Sequence, residues 1–223
     1  MPQRAPTKTA ADLVPSKRSL PALREAAAGC TACDLFARGT QTVFGEGPPS
    51  ARAILVGEQP GDAEDRAGRP FVGPAGRLLD TSLEQAGIDR RQVYVTNVVK
   101  HFKWEPRGTR RIHAKPNMPE IRACRPWLEA EIAAVKPQIV ICLGATAAQA
   151  ILGKDFRVTR DRGRILEAEI APFVMATVHP SSILRAPDPA SRHAETERFI
   201  EDLRGVAHLV AEPRGARLAA GMR

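Results

Sequence analysis

Four short, nearly continuous apolar runs punctuate the chain. They are "ARAILVGEQP" (51–60), which stops at Gly57, "RQVYVTNVVK" (91–100), "KPQIVICLGA" (136–145) and "PFVMATVHP" (172–180). Runs of this length with little polar alternation predict strands buried on both faces. "GRILEAEI" (163–170) is weaker and reads as an edge strand. Helical patterns lie between the runs. "GPAGRLLDTSLEQAG" (73–87) places Leu78, Leu79 and Leu83 on one face and stops at Gly87. A second pattern spans 118–135, where Pro126 is expected to kink or divide the helix. A short helix is predicted over 144–153, a long amphipathic one over 191–210, and a first one over Ser19–Ala28. Strands alternating with helices predict an α/β fold, a three-layer α/β/α sandwich around a mostly parallel four-stranded sheet. One domain is expected over 19–211, between a disordered basic arm (1–18) and a flexible tail (212–223).

In such sheets ligands bind beyond the carboxyl ends of the strands. Four segments leave those ends: "GEQPGD", "TNVVKH" with a basic loop behind it, "LGAT" and "VHPSSILR". The unusual side chains concentrate in three of the four, all but "LGAT".

Charge narrows the partner. With 33 Lys and Arg against 25 Asp and Glu, the net charge is +8 and the pI near 9.8. This favours a polyanion, nucleic acid first, over the alternative of solvated surface charge. No run of 18 or more apolar residues is present, so no membrane span is expected. The N-terminal "MPQRAPTKTAADLVPSKR" lacks the apolar stretch of a secretory signal, so a cytoplasmic monomer, in cytosol or nucleoid, is expected. Disulfides are then not expected of the four cysteines, and the C-x-x-C pair Cys30/Cys33 points to metal or redox chemistry.

Candidate chemistry follows the strand ends. Gly57 and Gly61 permit close backbone approach to a ligand, and Glu58 and Asp62 set carboxylates at the sheet's mouth. The spacing is not that of a P-loop. Phe71, in a chain with 4% aromatics, either packs in the core or offers a platform to a flat ring. Asn97 either forms a turn or reads a base edge. One carboxamide distinguishes uracil, with its O4 acceptor beside an N3–H donor, from cytosine, which presents the reverse. His179 could donate to a base carbonyl such as O2. Ser181 and Ser182 suit phosphates, and Leu184 with Arg185 suits a nucleic-acid groove. "RGTRRIHAKP" (107–116) has no apolar periodicity and reads as an exposed loop. Arg110 and Arg111 suit phosphates there, and His113 is either one more phosphate contact or a chemical group.

"GEQPGD", "GRPFVGPAG", "TNVVK" and "HPSSILR", in this order, resemble the uracil-DNA glycosylase superfamily, in its iron–sulfur branch, over about residues 20 to 210. The basic insert ending "RRIH" resembles that of UdgX, the member that becomes covalently attached to uracil-containing DNA. Thr109 stands where that insert carries a lysine, so one charge toward the DNA backbone is missing. The resemblance implies excision of uracil from DNA, single strands favoured, with His113 capturing the sugar at C1′. Glu58 and His179 are implied as its catalytic partners, and Gly57, Gln59, Asp62, Phe71 and Asn97 as the uracil-binding set. Arg110, Arg111, Ser181, Ser182 and Arg185 are implied on the DNA backbone. It further implies a 4Fe-4S cluster on Cys30, Cys33, His101 and Cys124, with His101 where other members have cysteine. A Cys3His set alone would equally suit zinc; the resemblance selects iron–sulfur, and imidazole in place of thiolate raises the potential. Cys142, inside an apolar run, is expected to be a buried small hydrophobe. Two other readings remain: a hydrolytic uracil-DNA glycosylase with turnover, and a non-enzymatic iron–sulfur protein that binds single strands.

Overall fold

A computed structural model describes residues 8–211; the expected tail (212–223) and the first seven residues of the expected arm lie outside the described residues. In chain order the elements are α1 (Leu20–Ala28), β1 (Ala53–Gly57), α2 (Asp62–Ala67), α3 (Pro74–Gln85) and β2 (Val93–Asn97). A hairpin of β3 (Trp104–Arg107) and β4 (Arg110–His113) precedes α4 (Met118–Val135). Then come β5 (Ile139–Leu143), α5 (Ala145–Leu152), α6 (Val158–Asp161), β6 (Ile165–Ala168), β7 (Ala171–Thr177), α7 (Pro180–Leu184) and α8 (Pro189–Ala211).

The sheet has the order β2-β1-β5-β7-β6. The first four strands are parallel and correspond to the four apolar runs. The weak fifth segment is β6, an antiparallel edge on β7, so the sheet has five strands instead of four. Ile54, Val56, Val140, Cys142, Val174 and Ala176 point into a core shared with α1, α4 and α5. Leu55, Val95, Ile139, Ile141, Leu143 and Met175 point to the opposite face, into a core shared with α3 and α8. Both faces are dry, which is why these strands read as continuous apolar runs.

Three expectations need correction. Residues 107–116 are only in part a loop: Trp104 pairs with His113 and Arg107 with Arg110, around a turn in which Gly108 takes a φ of +60°, and irregular chain follows from 114. Pro126 does not divide α4. Nine buried residues of that helix, Trp127 and Ile132 among them, outweigh the one hydrogen bond that a proline removes. The expected arm is ordered over its described part. Ala10–Leu13 forms a 3-10 turn capped by the Thr9 hydroxyl, with Ala10 wholly buried against the α1/α4 core.

One ion pair is sealed inside the fold. Lys100 Nζ lies 2.5 Å from Glu131 Oε2, and both side chains are 0% exposed. Lys100 also donates to Thr96 Oγ1 and to the carbonyl of Asn97, while Glu131 accepts from the Tyr94 hydroxyl and the Gly45 amide. Burial of the Tyr94 phenol, reinforced by the Glu131 carboxylate beside it, pushes that phenol far above its ordinary range. Removing one member of such a pair strands a buried charge, which costs about 3–5 kcal/mol. Lys100→Met is therefore expected to lower stability in urea unfolding by about that amount. Adding Glu131→Gln, which removes the charge and still accepts from Gly45, should recover part of the loss.

Candidate active site

The pocket floor begins where β1 and β2 end side by side, with Gly57 opposite Asn97. A Cβ on Gly57 would collide with the Asn97 carboxamide oxygen and lie 2.9 Å from the tip of the Phe71 ring. Glycine there lets a carboxamide and an aromatic ring meet at the strand ends. Phe71 has a φ of +56°, which costs a non-glycine residue about 1 kcal/mol. It persists because its carbonyl rests directly on Gly76, where any side chain would clash. Strain of this kind concentrates at functional sites. The Phe71 ring stacks on the His179 imidazole, 6.1 Å between centroids and 25° between planes. Phe71 thus packs against the core and faces the cavity at once.

The cavity has a volume of about 740 Å3, within the usual range for small-ligand sites. Glu58, directly after β1, accepts a short hydrogen bond from the Thr146 hydroxyl in the first turn of α5. A carboxylate at a helix start is favoured by the exposed N–H groups and the macrodipole. Its other oxygen lies 3.5 Å from His113 Nε2, close enough for electrostatics but long for a hydrogen bond. The His113 side chain is 48% exposed, at the cavity mouth, with its ring tilted against Phe102 at 6.2 Å. Burial of the ring holds its pKa below the ordinary histidine value; Glu58 opposes that shift, and Arg185 reinforces it. His113 is therefore neutral at pH 7, with a lone pair free.

His179 stands across the cavity. Its Nδ1 accepts the Ser181 backbone N–H at 3.1 Å and lies 2.8 Å from the Ser181 hydroxyl. An Nδ1 that accepts leaves the proton of the neutral ring on Nε2. Burial, then Arg185 and His113, push its pKa down to about 4. His179 is thus a neutral N–H donor. The Ser182 hydroxyl donates to the His179 carbonyl, and Ser181, Ser182 and Arg185 all line the cavity rim.

Several expected site residues are engaged elsewhere. Gln59 lines the cavity, and its carboxamide donates to the carbonyls of Lys103 and Ala114 and accepts from the Lys103 N–H, so that it also ties down the foot of the hairpin. Asp62 is paired with Arg66 and Arg111 and does not line the cavity. Arg111 is turned inward. It reaches Asp62 at 2.5 Å and Asp65 at 2.6 Å and lies over the rings of Phe102 and Trp104, with 15% of its side chain exposed. Side chains alternate across a strand, so Arg110 points the other way; it makes no ion pair among the described residues. Thr146 and Glu64 escaped the sequence reading. Thr146 sits in "LGAT", the one strand end set aside as unremarkable. Glu64 closes the Gly-rich loop by accepting from the amides of Gly61 and Gly73, and only that i,i+3 spacing from Gly61 hints at it.

Cys30 and Cys33 follow α1, and Cys124 lies on α4. Cys30 and Cys124 are buried, and Cys33 is partly exposed. The Trp127 indole N–H donates to Cys30 Sγ and the Lys100 N–H to Cys124 Sγ, each at 3.2 Å. Burial raises the pKa of Cys33 and takes that of Cys124 up to about 12; nearby cysteines add to both shifts, so the three sulfurs share one neighbourhood. His101 is buried. Its Nε2 meets the Thr42 hydroxyl, while Nδ1 is buried without a partner. An orphaned imidazole nitrogen and N–H donors aimed at sulfurs fit a bound cluster. Among the described residues no three His, Cys, Asp or Glu side chains converge tightly enough to hold a single ion. Cys142 is a fully buried core residue on β5.

Comparisons with known proteins agree with this geometry. The family model described as the Uracil DNA glycosylase superfamily matches residues 44–204. The chain is 41% identical over 176 residues to a type-4 uracil-DNA glycosylase of Thermotoga maritima, covering 78% of this chain and 85% of that one. It is 34% identical over 183 residues to a type-4 uracil-DNA glycosylase of Archaeoglobus fulgidus, covering 79% and 88%. A type-5 uracil-DNA glycosylase of Thermus thermophilus is 33% identical over 125 residues, covering 49% and 53%.

The low pKa of His179 has a consequence for stability. The unfolded chain takes up this proton near pH 6.5 and the folded one only near pH 4. Stability held above pH 6.5 is therefore lost as the pH falls toward 4, by at most about 3 kcal/mol. Denaturant unfolding at pH 7 and pH 4.5 should show a smaller acid loss in His179→Gln than in the wild type.

Proposed function

The chain belongs to the uracil-DNA glycosylase superfamily, and from that premise we propose that it excises uracil from DNA, single strands favoured, and that His113 becomes bonded to the sugar left behind. The observation that carries the second part is the 3.5 Å approach of a neutral His113 to Glu58 at the cavity mouth, opposite the His179 N–H donor.

A flipped uracil against Phe71 meets the Asn97 carboxamide with its O4 and N3–H edge. The His179 Nε2–H donates to O2, where negative charge gathers as the bond from N1 to C1′ breaks and uracil leaves with the electron pair. The sugar becomes cationic at C1′, and the Glu58 carboxylate stabilises that charge. A ring nitrogen of His113 then gives its lone pair to C1′, and the proton on the other ring nitrogen passes to Glu58 or to water. The product, an alkylated neutral imidazole, is a poor leaving group. This contrasts with the ester formed by a carboxylate nucleophile, which hydrolyses. Ser181, Ser182 and Arg185 line the cavity and Arg110 is exposed on the hairpin, all suited to the strand's phosphates. Arg111 acts through the hairpin it pins. Cys30, Cys33, His101 and Cys124 would hold a 4Fe-4S cluster, which would supply a crosslink between the segment after α1 and the chain that carries the hairpin.

A second reading, hydrolysis with turnover and His113 as a binding group, is favoured by the type-4 relatives' names. A denaturing gel with single-stranded uracil DNA separates the two. The covalent reading expects a heat-stable slow band with the wild type and none with His113→Ala. His113→Ser, with room for water, should instead release several uracils per protein molecule. A heat-stable band persisting in His113→Ala would exclude the assignment.

A further inference from the structure

A second cavity, about 250 Å3, opens beside the first. Lys115 and Thr146 line both, so the two are contiguous, and Thr146 is the residue that binds Glu58. The smaller cavity therefore begins where the reacting centre ends. Its wall is apolar: Met118 and Ile121 from the first turns of α4 and Ala150 from α5. Met118 is 55% exposed, the most exposed large hydrophobic side chain among the described residues. A thioether favours contact with a flat ring. Lys115 and Lys154 stand at this cavity, and neither makes an ion pair among the described residues. Lys115 follows His113 by two residues, about 7 Å of extended chain.

We propose that this second cavity takes the base of the nucleotide next to the flipped uridine on the same strand, with Lys115 and Lys154 on the flanking phosphates. The proposal rests on the uracil-DNA reading above. At 250 Å3 the cavity lies below the usual range for drug-sized ligands, and suits one flat ring. Two unpaired cations beside an apolar wall match a nucleotide: charge outside, stacking surface inside. A duplex must unstack and unpair a second base to fill this cavity, whereas a single strand need not unpair it. The cavity thus acts as a selector for single strands.

The test uses strands with 2′-fluoro-2′-deoxyuridine at the centre, where fluorine slows bond cleavage, and with one neighbour at a time replaced by an abasic nucleotide. Affinity is read by fluorescence anisotropy at fixed salt. A stacked base contributes about 1–3 kcal/mol, so removing one of the two neighbours should weaken wild-type binding about 5- to 150-fold, while removing the other changes little. Met118→Asp should erase that dependence and Met118→Leu should keep it. Aspartate at a helix's first position is favourable, so folding is not at risk. Lys154→Glu should weaken all strands alike and flatten the salt dependence. Equal affinity with and without either neighbour, or an unchanged dependence in Met118→Asp, would overturn the proposal. Failure to prefer the uridine strand over a thymidine strand would instead overturn the uracil reading, and the neighbour comparison can still be read on the thymidine strands.

Discussion

The mouth of the cavity depends on one buried carboxamide. Gln59, 6% exposed, follows Glu58 in the loop after β1 and bonds to Lys103 and Ala114, the two residues at the foot of the hairpin. Those residues also bond to each other, Ala114 N–H to Lys103 carbonyl at 3.0 Å. A buried amide left without partners costs about 1–3 kcal/mol, so hairpin and loop are held as one piece. Neighbouring residues therefore set the Glu58–His113 separation. Arg111 adds the second anchor, bridging from β4 to Asp62 and Asp65 of α2. The proposed nucleophile and the carboxylate beside it are thus held by side-chain bonds between loop, hairpin and α2. Rigid support of this kind is what positions a reacting atom.

The same frame explains why two histidines in one cavity can do different work. His179 caps α7 through Nδ1, which commits its Nε2–H to the cavity. His113 has no such cap, faces Glu58 and stands at the solvent edge. Arg185 opposes protonation of both. One ring is a fixed donor and the other an available lone pair, a difference that comes from hydrogen bonding and not from residue type. Beneath them, Lys100 reaches the Asn97 carbonyl with its ammonium and Cys124 with its backbone N–H. The cysteine region and the end of β2 are thereby mechanically joined.

Much of this architecture is legible in the sequence, and the exceptions have physical causes. The four parallel strands announce themselves because both faces are dry, and their order in the chain leads to the strand ends where Glu58, Asn97 and His179 lie. The hairpin does not announce itself. Its strands mix polar and apolar residues on both faces, and it is anchored by the Arg111 pairs with Asp62 and Asp65, contacts distant in the chain. For the same reason Arg110 and Arg111 look alike in sequence, yet one is exposed and the other turned inward. Asp62 looks like a mouth carboxylate until its partners are known, and Thr146 looks like any residue of a small-residue helix. Resemblance of motifs located the site; only tertiary geometry sorted its side chains into those that face the ligand and those that hold the others.

The central claim is that His113 becomes bonded to the sugar. Peptide mass spectrometry of the wild-type protein after incubation with a uracil-containing single strand, digested by protease and nuclease, tests it most directly. The account predicts a deoxyribose-derived mass on the peptide that contains His113, fragmenting at that residue, with one uracil released per protein molecule. An unmodified His113 peptide, together with uracil released in excess over protein, would contradict it.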